Sequence, residues 1–248
     1  MKTFVCIDDT DNLESRGTGA LASLMIEDIE KFGWGKCSYI TRHQLYFHPD
    51  VPFTSHNSTM CFVIDHEKKI YDDFKNYAVN FLEKESAEGS DPGLCIANYE
   101  VIKDSQELIS YGKRAKKEIL TKKIAYETAQ NIGVHLSEHG GTGGGVIGAL
   151  AGIGLRLTGN DGRIKGKLHF PIQGDVITVK EILDNSDVDL VQGTEGQLIS
   201  DSEKIKLGEK VKAVYLNFQK VLLVYEKSDE ETNSYAWNTC SKEYLKKY

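Results

Sequence analysis

Apolar residues in the first half of the chain alternate or recur at helical spacing, and they predict a succession of strands and helices. The run from Phe4 to Ile7 predicts a buried strand. Helical spacing follows it, at Leu21, Leu24, Met25, Ile29 and Phe32. Further strands are predicted at 37–41, 59–64 and 94–101, and further helices at 68–85 and 105–117. This order of elements is typical of a compact α+β unit.

The second half of the chain carries one strong helix pattern and weaker strand patterns. A buried helix is predicted from the spacing of Val146, Leu150, Ile153 and Leu157. Strands are predicted at 166–170 and 175–179, and a hairpin is predicted from 211–215 and 221–225. The polar residues 228–248 predict a frayed tail.

Three carboxylates, those of Asp8, Asp9 and Asp11, follow the first predicted strand. Carboxylates this close repel one another and lose solvation when buried, so we expect a cation to hold them. Magnesium is the first candidate, because it prefers hard oxygen ligands and bridges carboxylates to nucleotide phosphates. An acidic helix cap is the alternative, although a cap needs a single carboxylate. A calcium loop is excluded, because Leu13 and Glu14 stand where its ligand and glycine belong.

A second motif is a glycine loop, in which five glycines occupy the six positions 140–145. Glycines let a backbone approach a ligand closely, and a helix that begins near Gly144 would direct free N–H groups at an anion. A Walker A loop is excluded, because no Gly-Lys-Ser/Thr follows. A flexible linker is the alternative, but so apolar a helix rarely follows a linker. The expected cofactor-binding residues are Thr10, Gly141, Gly143, Gly144, Gly145, Val146 and Ile147.

Composition narrows the classes of function. The 248 residues are 40% hydrophobic and 27% charged, which is ordinary for one large or two small domains. Five scattered cysteines predict reduced core residues and no structural zinc site. No apolar run reaches the ~20 residues of a membrane span, and no signal-peptide pattern precedes the first strand, so a cytoplasmic location is expected. The net charge of −7 favours a small substrate over a nucleic acid, and the basic segment 113–123 is typical of a solvated helix face.

Five motifs occur along the chain in a fixed order: Ile7 to Asp11, Arg42 with Pro49 to Thr54, Asp91 to Gly93, Tyr111 to Ala115, and Gly143 to Gly154. In this order they resemble the motifs of tRNA-Ile 2-agmatinylcytidine synthetase, an archaeal RNA-modifying enzyme. The resemblance implies an α/β (α+β) protein, in which a kinase-like domain that binds ATP with magnesium accompanies a ferredoxin-like domain. The implied boundaries are 1–35 and 118–227 for the kinase-like domain, 36–117 for the inserted ferredoxin-like domain and 228–248 for the tail.

The resemblance also implies a reaction, in which phosphoryl transfer from ATP activates an oxygen for attack by an amine. Asp8, Asp9 and Asp11 would hold magnesium and act in catalysis, and His139 is a candidate general base, since imidazole titrates near neutral pH. More often a lone histidine is structural. The expected substrate-facing residues are Arg42, Thr54, His56 and Asn57.

Three departures from the family bear on the substrate. In the family an OB-fold and a zinc ribbon hold tRNA, and we expect no counterpart of either in this sequence. The family's basic Lys-Thr-Arg-Gly-Asn loop has lost its charges at 54–58. Ala20 aligns with a threonine that the family phosphorylates, and Thr18 lies nearby. We therefore predict a small-molecule acceptor, with tRNA an unlikely partner for this chain on its own. A non-catalytic module that binds a nucleotide or small ligand, and an RNA-modification enzyme with a separate RNA-binding subunit, stay open as alternatives; the oligomeric state is unspecified.

Overall fold

The chain divides into two units, Met1–Thr158 and Gly159–Tyr248, in the computed structural model. The structure describes residues 1–51, 57–67, 69–170, 175–226 and 237–248. The mixed α/β class is as predicted. The boundary between the units does not coincide with the boundaries expected at 35 and 117, and the division into kinase-like and ferredoxin-like domains stays a prediction.

Strands and helices of the first unit follow the predicted order closely. The strands are β1 (Lys2–Asp8), β2 (Lys36–Cys37), β3 (Thr41–Gln44), β4 (Ser58–Asp65), β5 (Gly93–Asn98) and β6 (His135–Glu138). The helices are α1 (Thr18–Lys31), α2 (Tyr71–Glu85), α3 (Ser105–Ala115), α4 (Lys122–Ile132) and α5 (Val146–Leu157). Two short strands, β2 and β3, replace the predicted strand at 37–41, and each overlaps one end of that range.

One antiparallel sheet forms the centre of the first unit. Its strand order is β6-β5-β1-β4-β3, and β2 also pairs with β4. The central strand β1 is buried on both faces, because Phe4 and Cys6 pack toward α3, α4 and α5 while Val5 and Ile7 pack toward α1 and α2. This two-sided burial explains the unbroken apolar run at the start of the chain.

Helix α4 and strand β6 were not predicted. Thr121 caps α4 by accepting a hydrogen bond from the N–H of Ile124, and Gly133 ends the helix with a φ of +79°. Both are ordinary helix-boundary signals. The lysines at its start had instead been interpreted as part of a solvated basic segment.

The second unit is a mixed sheet with a short helix. Its elements are β7 (Arg163–Ile164), β8 (Val176–Thr178), α6 (Val179–Asp184), β9 (Leu190–Gly193), β10 (Lys204–Lys206), β11 (Val214–Leu216), β12 (Gln219–Glu226) and β13 (Trp237–Thr239). The order is β7-β11-β12-β13-β10-β8, with β9 parallel to β12. The predicted hairpin is confirmed as β11 and β12, joined at Asn217 and Phe218, which both have positive φ.

Two expectations for the second unit are wrong. Residues 166–170 form no strand, because the chain pairs earlier, at β7. The tail is not frayed over 237–248: β13 pairs with both β10 and β12, and Leu245 is buried. All five cysteines are free, as predicted. Across the described ranges, no helix combines the length and the apolar character that crossing a membrane requires.

Candidate functional site

A cavity of about 210 Å³ in the first unit joins the acidic turn to the glycine loop. The acidic turn contributes Asp8, Asp9 and Asp11, and the start of α5 contributes Gly144, Gly145, Ile147 and Gly148. The remaining lining residues are Thr18, Leu45, Tyr46, Asp50, Val51, Asn57, Ser58, Asp91, Ala115, Glu118, Ile119 and Leu120. The two motifs that stood far apart in the sequence therefore lie at one cavity.

Close backbone packing at the start of α5 brings the two motifs together. A Cβ at Gly148 would overlap the carboxylate of Asp8, so glycine lets this side chain lie against the helix. A Cβ at Gly93 would overlap the backbone of Gly145, and one at Gly145 would overlap the carbonyl of Asp91. Glycine is needed here for close approach of one backbone to another.

Burial and mutual repulsion raise the pKa values of the acidic turn. Burial, with the charges of Asp9 and Asp11, raises the pKa of Asp8 well above its usual range. Burial first, then Asp91 and Asp11, raises the pKa of Asp9 to about 6. The raised pKa values mean that the turn favours a proton or a cation beside its carboxylates.

Hydrogen bonds from two threonines hold the acidic turn. Thr10 is fully buried, and its hydroxyl lies 3.1 Å from the hydroxyl of Thr18. Thr18 in turn donates to Oδ1 of Asp11 over 2.9 Å and lines the cavity. Asp9 adopts a φ of +50°, a left-handed conformation that aspartate tolerates better than most residues. Thr10 thus supports the turn from behind, and Thr18 rather than Ala20 stands beside the carboxylates.

Most of the N–H groups expected to bind phosphate already have acceptors in the backbone. The N–H of Gly145 donates to the carbonyl of Asp91 over 3.0 Å, and that of Ile147 donates to Gly144 over 3.1 Å. The N–H groups of Gly143 and Val146 donate to carbonyls of the same loop, at 3.1 and 3.4 Å. Within the described residues, the N–H of Gly144 has no backbone acceptor. It is therefore the best-placed loop amide for an anion in the cavity.

Asp91 lines the site but is not among the residues that the sequence predicts for it. It lines the cavity and lies close enough to raise the pKa of Asp9. Its carboxylate accepts hydrogen bonds from the N–H and the hydroxyl of Thr142 in the glycine loop, the second over 2.7 Å. The sequence signal for Asp91 is its place in the Asp91-Pro92-Gly93 motif, which is one of the five motifs that carry the resemblance.

Part of the cavity lining is apolar. It is formed by Leu45, Val51, Ala115, Ile119 and Leu120. The side-chain amide of Asn57 donates to the carbonyl of Tyr46 over 2.7 Å, and the N–H of Tyr46 donates to Ala115 over 2.9 Å. These bonds join the loop after β3 to the end of α3. Asn57 thus lines the cavity, and its role toward a substrate stays a prediction.

Several expected site residues lie away from the cavity lining. Arg42 donates to the hydroxyl of Ser58 over 2.8 Å and lies near Asp11, and burial lowers its pKa. Gly141, Gly143 and Val146 shape the loop or the helix start without lining the cavity. Thr54 and His56 lie outside the described residues.

His139 also lies outside the cavity lining, although its backbone adjoins the glycine loop. Its ring hydrogen-bonds the hydroxyl of Ser137 over 2.8 Å and lies 3.9 Å from the carboxylate of Glu83. Burial lowers its pKa. The structural alternative considered for this histidine describes its surroundings better than a base that faces the cavity.

The donor set fits a magnesium ion that arrives with a phosphate ligand. In the part of the chain that the structure describes, no three His, Cys, Asp or Glu side chains are arranged to hold a metal by themselves. Magnesium commonly takes one or two carboxylates and completes its shell with water and substrate phosphate. Carboxylates with raised pKa values meet that requirement, because a divalent cation would relieve their repulsion.

Comparisons with known proteins bear on the fold. No protein-family model matches the chain. An uncharacterized protein of Methanocaldococcus jannaschii is 30% identical over 155 residues, which cover 62% of this chain and 50% of that protein. The chain therefore spans about half the length of the curated relative that it matches.

Two solved complexes of TiaS, a tRNA agmatidine synthetase, are similar in structure. One holds tRNA and ATP, and the other holds tRNA, AMPCPP and agmatine; their TM-scores are 0.55 and 0.53. Each is 19% identical to this chain, covers 82% of it and is itself covered over 50%. At this identity the similarity establishes the fold. The resemblance inferred from the five motifs is thus confirmed in structure: the chain has the fold of part of the tRNA agmatidine synthetase TiaS.

Proposed function

We propose that the first unit belongs to an enzyme that transfers a phosphoryl group from magnesium-bound ATP to an acceptor, in a kinase-like or ligase-like reaction. The observation that carries the proposal is the meeting of Asp8, Asp9 and Asp11 with the start of α5 at one cavity. Carboxylates can hold the metal, and a helix start favours the anion that the metal bridges. Passive binding of an anion alone would not favour three carboxylates.

The position of each residue at the cavity suggests its role in this reaction. Magnesium and ATP would supply the reactive phosphoryl group and neutralise its developing charge. The acidic turn would orient the metal, and Gly144 would present its N–H to a phosphate oxygen. A carboxylate of the turn is better placed than His139 to accept the proton of an acceptor hydroxyl, because the turn faces the cavity.

The cavity lining favours a small acceptor or amine that carries positive charge. Among the described residues that line it, the charged side chains are all acidic, namely those of Asp8, Asp9, Asp11, Asp50, Asp91 and Glu118. The apolar part of the lining suits an aliphatic or planar segment. The cavity volume of about 210 Å³ lies below the ~300 Å³ typical of small-molecule pockets, so the cavity suits part of a ligand. A structural neighbour that holds agmatine supports an amine in the second half-reaction.

Calorimetry with a non-hydrolysable ATP analogue tests the proposal. We expect binding in magnesium and at least about tenfold weaker binding in EDTA, because the carboxylates would otherwise repel the phosphates. Release of phosphate or pyrophosphate from ATP, with amines as candidate substrates, then separates an enzyme from a binding module. Equal affinity in EDTA would refute the magnesium bridge. Failure of the wild-type protein to bind the analogue would refute the ATP assignment.

RNA is a second candidate for the acceptor, favoured by a basic groove on α3. The groove is lined by Gln106, Ile109, Ser110, Lys113, Arg114, Lys117 and Glu118, and Glu118 also lines the cavity. Lysines in such a groove can contact phosphates beside a reacting nucleotide. The prediction that tRNA is an unlikely partner has no support from the structural neighbours, which include tRNA complexes.

Salt dependence of tRNA binding tests this second candidate. If the groove binds RNA, Lys113→Gln with Lys117→Gln should weaken binding and reduce the slope of log affinity against log salt by about 1.5 to 2. The matched control is Lys31→Gln with Lys84→Gln, on helices α1 and α2 of the opposite face. Equal effects of the two pairs would reject the groove as an RNA site.

A further inference from the structure

Asp91 contacts the glycine loop at two points. Its side-chain carboxylate accepts from the N–H and the hydroxyl of Thr142, and its backbone carbonyl accepts from the N–H of Gly145 over 3.0 Å. The first contact fixes the middle of the loop, and the second fixes the start of α5. A single residue just before β5 therefore contacts both the loop and the start of α5.

Thr142 is the residue through which the loop is held. All three of its polar groups have partners, because Asp91 accepts from its N–H and hydroxyl while the ammonium of Lys122 donates to its carbonyl over 2.6 Å. Lys122 is itself paired with Glu138. A Cβ at Gly141 would overlap the carboxylate of Asp91, and a Cβ at Gly143 would overlap that of Glu138. Both glycines also have positive φ, so the loop is shaped to receive these two carboxylates.

We propose that Asp91 is a positioning residue that acts through Thr142 to hold the glycine loop, and with it the N–H of Gly144, at the cavity. The effect on nucleotide affinity rests on the proposed ATP-dependent function; the effect on the loop does not. Two hydrogen bonds to one threonine hold a glycine-rich segment that has high conformational freedom when released.

Conservative substitutions at Asp91 and Thr142 distinguish a positioning role of Asp91 from a role of its negative charge. Asn at position 91 can accept from the Thr142 N–H through its amide oxygen and donate to the hydroxyl through its amide nitrogen. Asp91→Asn therefore preserves the geometry and removes the charge, whereas Asp91→Ala removes both bonds. Thr142→Ser keeps the hydroxyl, and Thr142→Val removes it at similar volume.

Hydrogen exchange of the full chain, followed in peptides that cover 139–145, measures the loop directly. We expect Asp91→Ala to speed exchange there about tenfold or more and Thr142→Val to speed it by a smaller factor, while Asp91→Asn and Thr142→Ser stay within about threefold of wild type. In the Asp91→Ala background, Thr142→Val should add no further change, because its partner is already gone. Asp104→Ala is the matched control: it removes a carboxylate that accepts from two backbone N–H groups at the start of α3, and it should leave the loop unchanged.

Affinity for the ATP analogue in magnesium should follow the same order as loop exchange. The proposal is overturned if Asp91→Asn exchanges as fast as Asp91→Ala, or if it keeps loop protection yet loses as much affinity, because Asp91 would then act through its charge. The proposal would also be overturned if Thr142→Val speeds loop exchange as much in the Asp91→Ala protein as it does in wild type. If Asp91→Ala does not fold, Asp91→Asn and the two Thr142 variants decide the question. If exchange follows the expected order but wild type binds no analogue, positioning stands and the ATP assignment fails.

Discussion

The acidic turn and the glycine loop face the same cavity, but opposite forces act on them. In the acidic turn, burial and repulsion raise the pKa values of Asp8 and Asp9, and Asp9 adopts a left-handed φ. In the glycine loop, polar groups are paired: Thr142 is held from both sides by Asp91 and Lys122. The turn is therefore destabilised by its own charges, whereas the loop is stabilised by its contacts.

This difference identifies the turn as the ligand-dependent part of the site. Binding residues commonly carry a cost in stability that a ligand offsets, while the supporting structure around them is well satisfied. Substitutions in the two regions should accordingly change stability in opposite directions, and acid should affect them oppositely.

The largest expected effect distinguishes two neighbouring glycines at the start of α5. A Cβ at Gly145 would overlap the carbonyl of Asp91 and approach the backbone N of Gly93 to 2.7 Å, so Gly145→Ala should cost about 2 to 3 kcal/mol of unfolding free energy. Gly144→Ala is the matched control. Its Cβ would meet nothing closer than 3.6 Å, and its φ is not left-handed, so its effect should stay within about 0.5 kcal/mol.

Chemical denaturation of both variants measures this difference. Equal costs would show that backbone contact at Gly145 does not hold the start of α5.

A smaller effect of opposite sign is expected at the acidic turn. The pKa of Asp9 is raised from 3.8 to about 6 in the folded protein, so folding in the absence of a cation becomes less favourable as pH rises through this window. Asp9→Asn should therefore raise the melting temperature by a few degrees at neutral pH, and this charge-dependent gain should vanish near pH 4.

Thermal melts of wild type and Asp9→Asn at several pH values, in EDTA, test this expectation. Asparagine also tolerates a left-handed φ, but that benefit does not depend on pH. A gain of constant size across the pH range would thus assign the effect to backbone conformation. A loss of stability at neutral pH would contradict the view that repulsion destabilises the turn.

The smallest effect is expected at Lys122, which donates a hydrogen bond to Thr142 in the glycine loop. Lys122→Met removes the ion pair with Glu138 and the bond to Thr142, and because both side chains are partly exposed it should cost about 0.5 kcal/mol. The hydrogen bond from Lys122 lowers the pKa of Glu138. This stabilisation is present above the ordinary pKa of glutamate and is lost as pH falls, the reverse of the behaviour at Asp9.

Chemical denaturation at neutral and acid pH, with Lys123→Met as control, measures the contribution of Lys122 to the free energy of unfolding. The side chain of Lys123 is 83% exposed and lies 3.8 Å from Glu127, so its removal should have little effect. If the cost of Lys122→Met were unchanged at acid pH, its ion pair with Glu138 would not be the source of stability.

The sequence alone determined the elements and chemistry that local patterns encode. The apolar run of β1, the spacing in α1 and α5, and the hairpin of β11 and β12 were all predicted near their final bounds. The carboxylates of Asp8, Asp9 and Asp11 implied a cation because repulsion between neighbours in sequence needs no knowledge of the fold. Short strands such as β7 and β13 escaped prediction, since their pairing partners, more than their own residues, decide them.

Only the tertiary structure decided which residues meet. Glycine at 93, 145 and 148 lets β1, β5 and α5 approach until Asp8 and Asp91 face one cavity, and this depends on overlaps between segments that are distant in sequence. The same packing places Thr10 behind the turn and His139 away from the cavity, although both adjoin the motifs in sequence. Sequence neighbours share a motif, but the direction of each side chain is set by the backbone that packs against it.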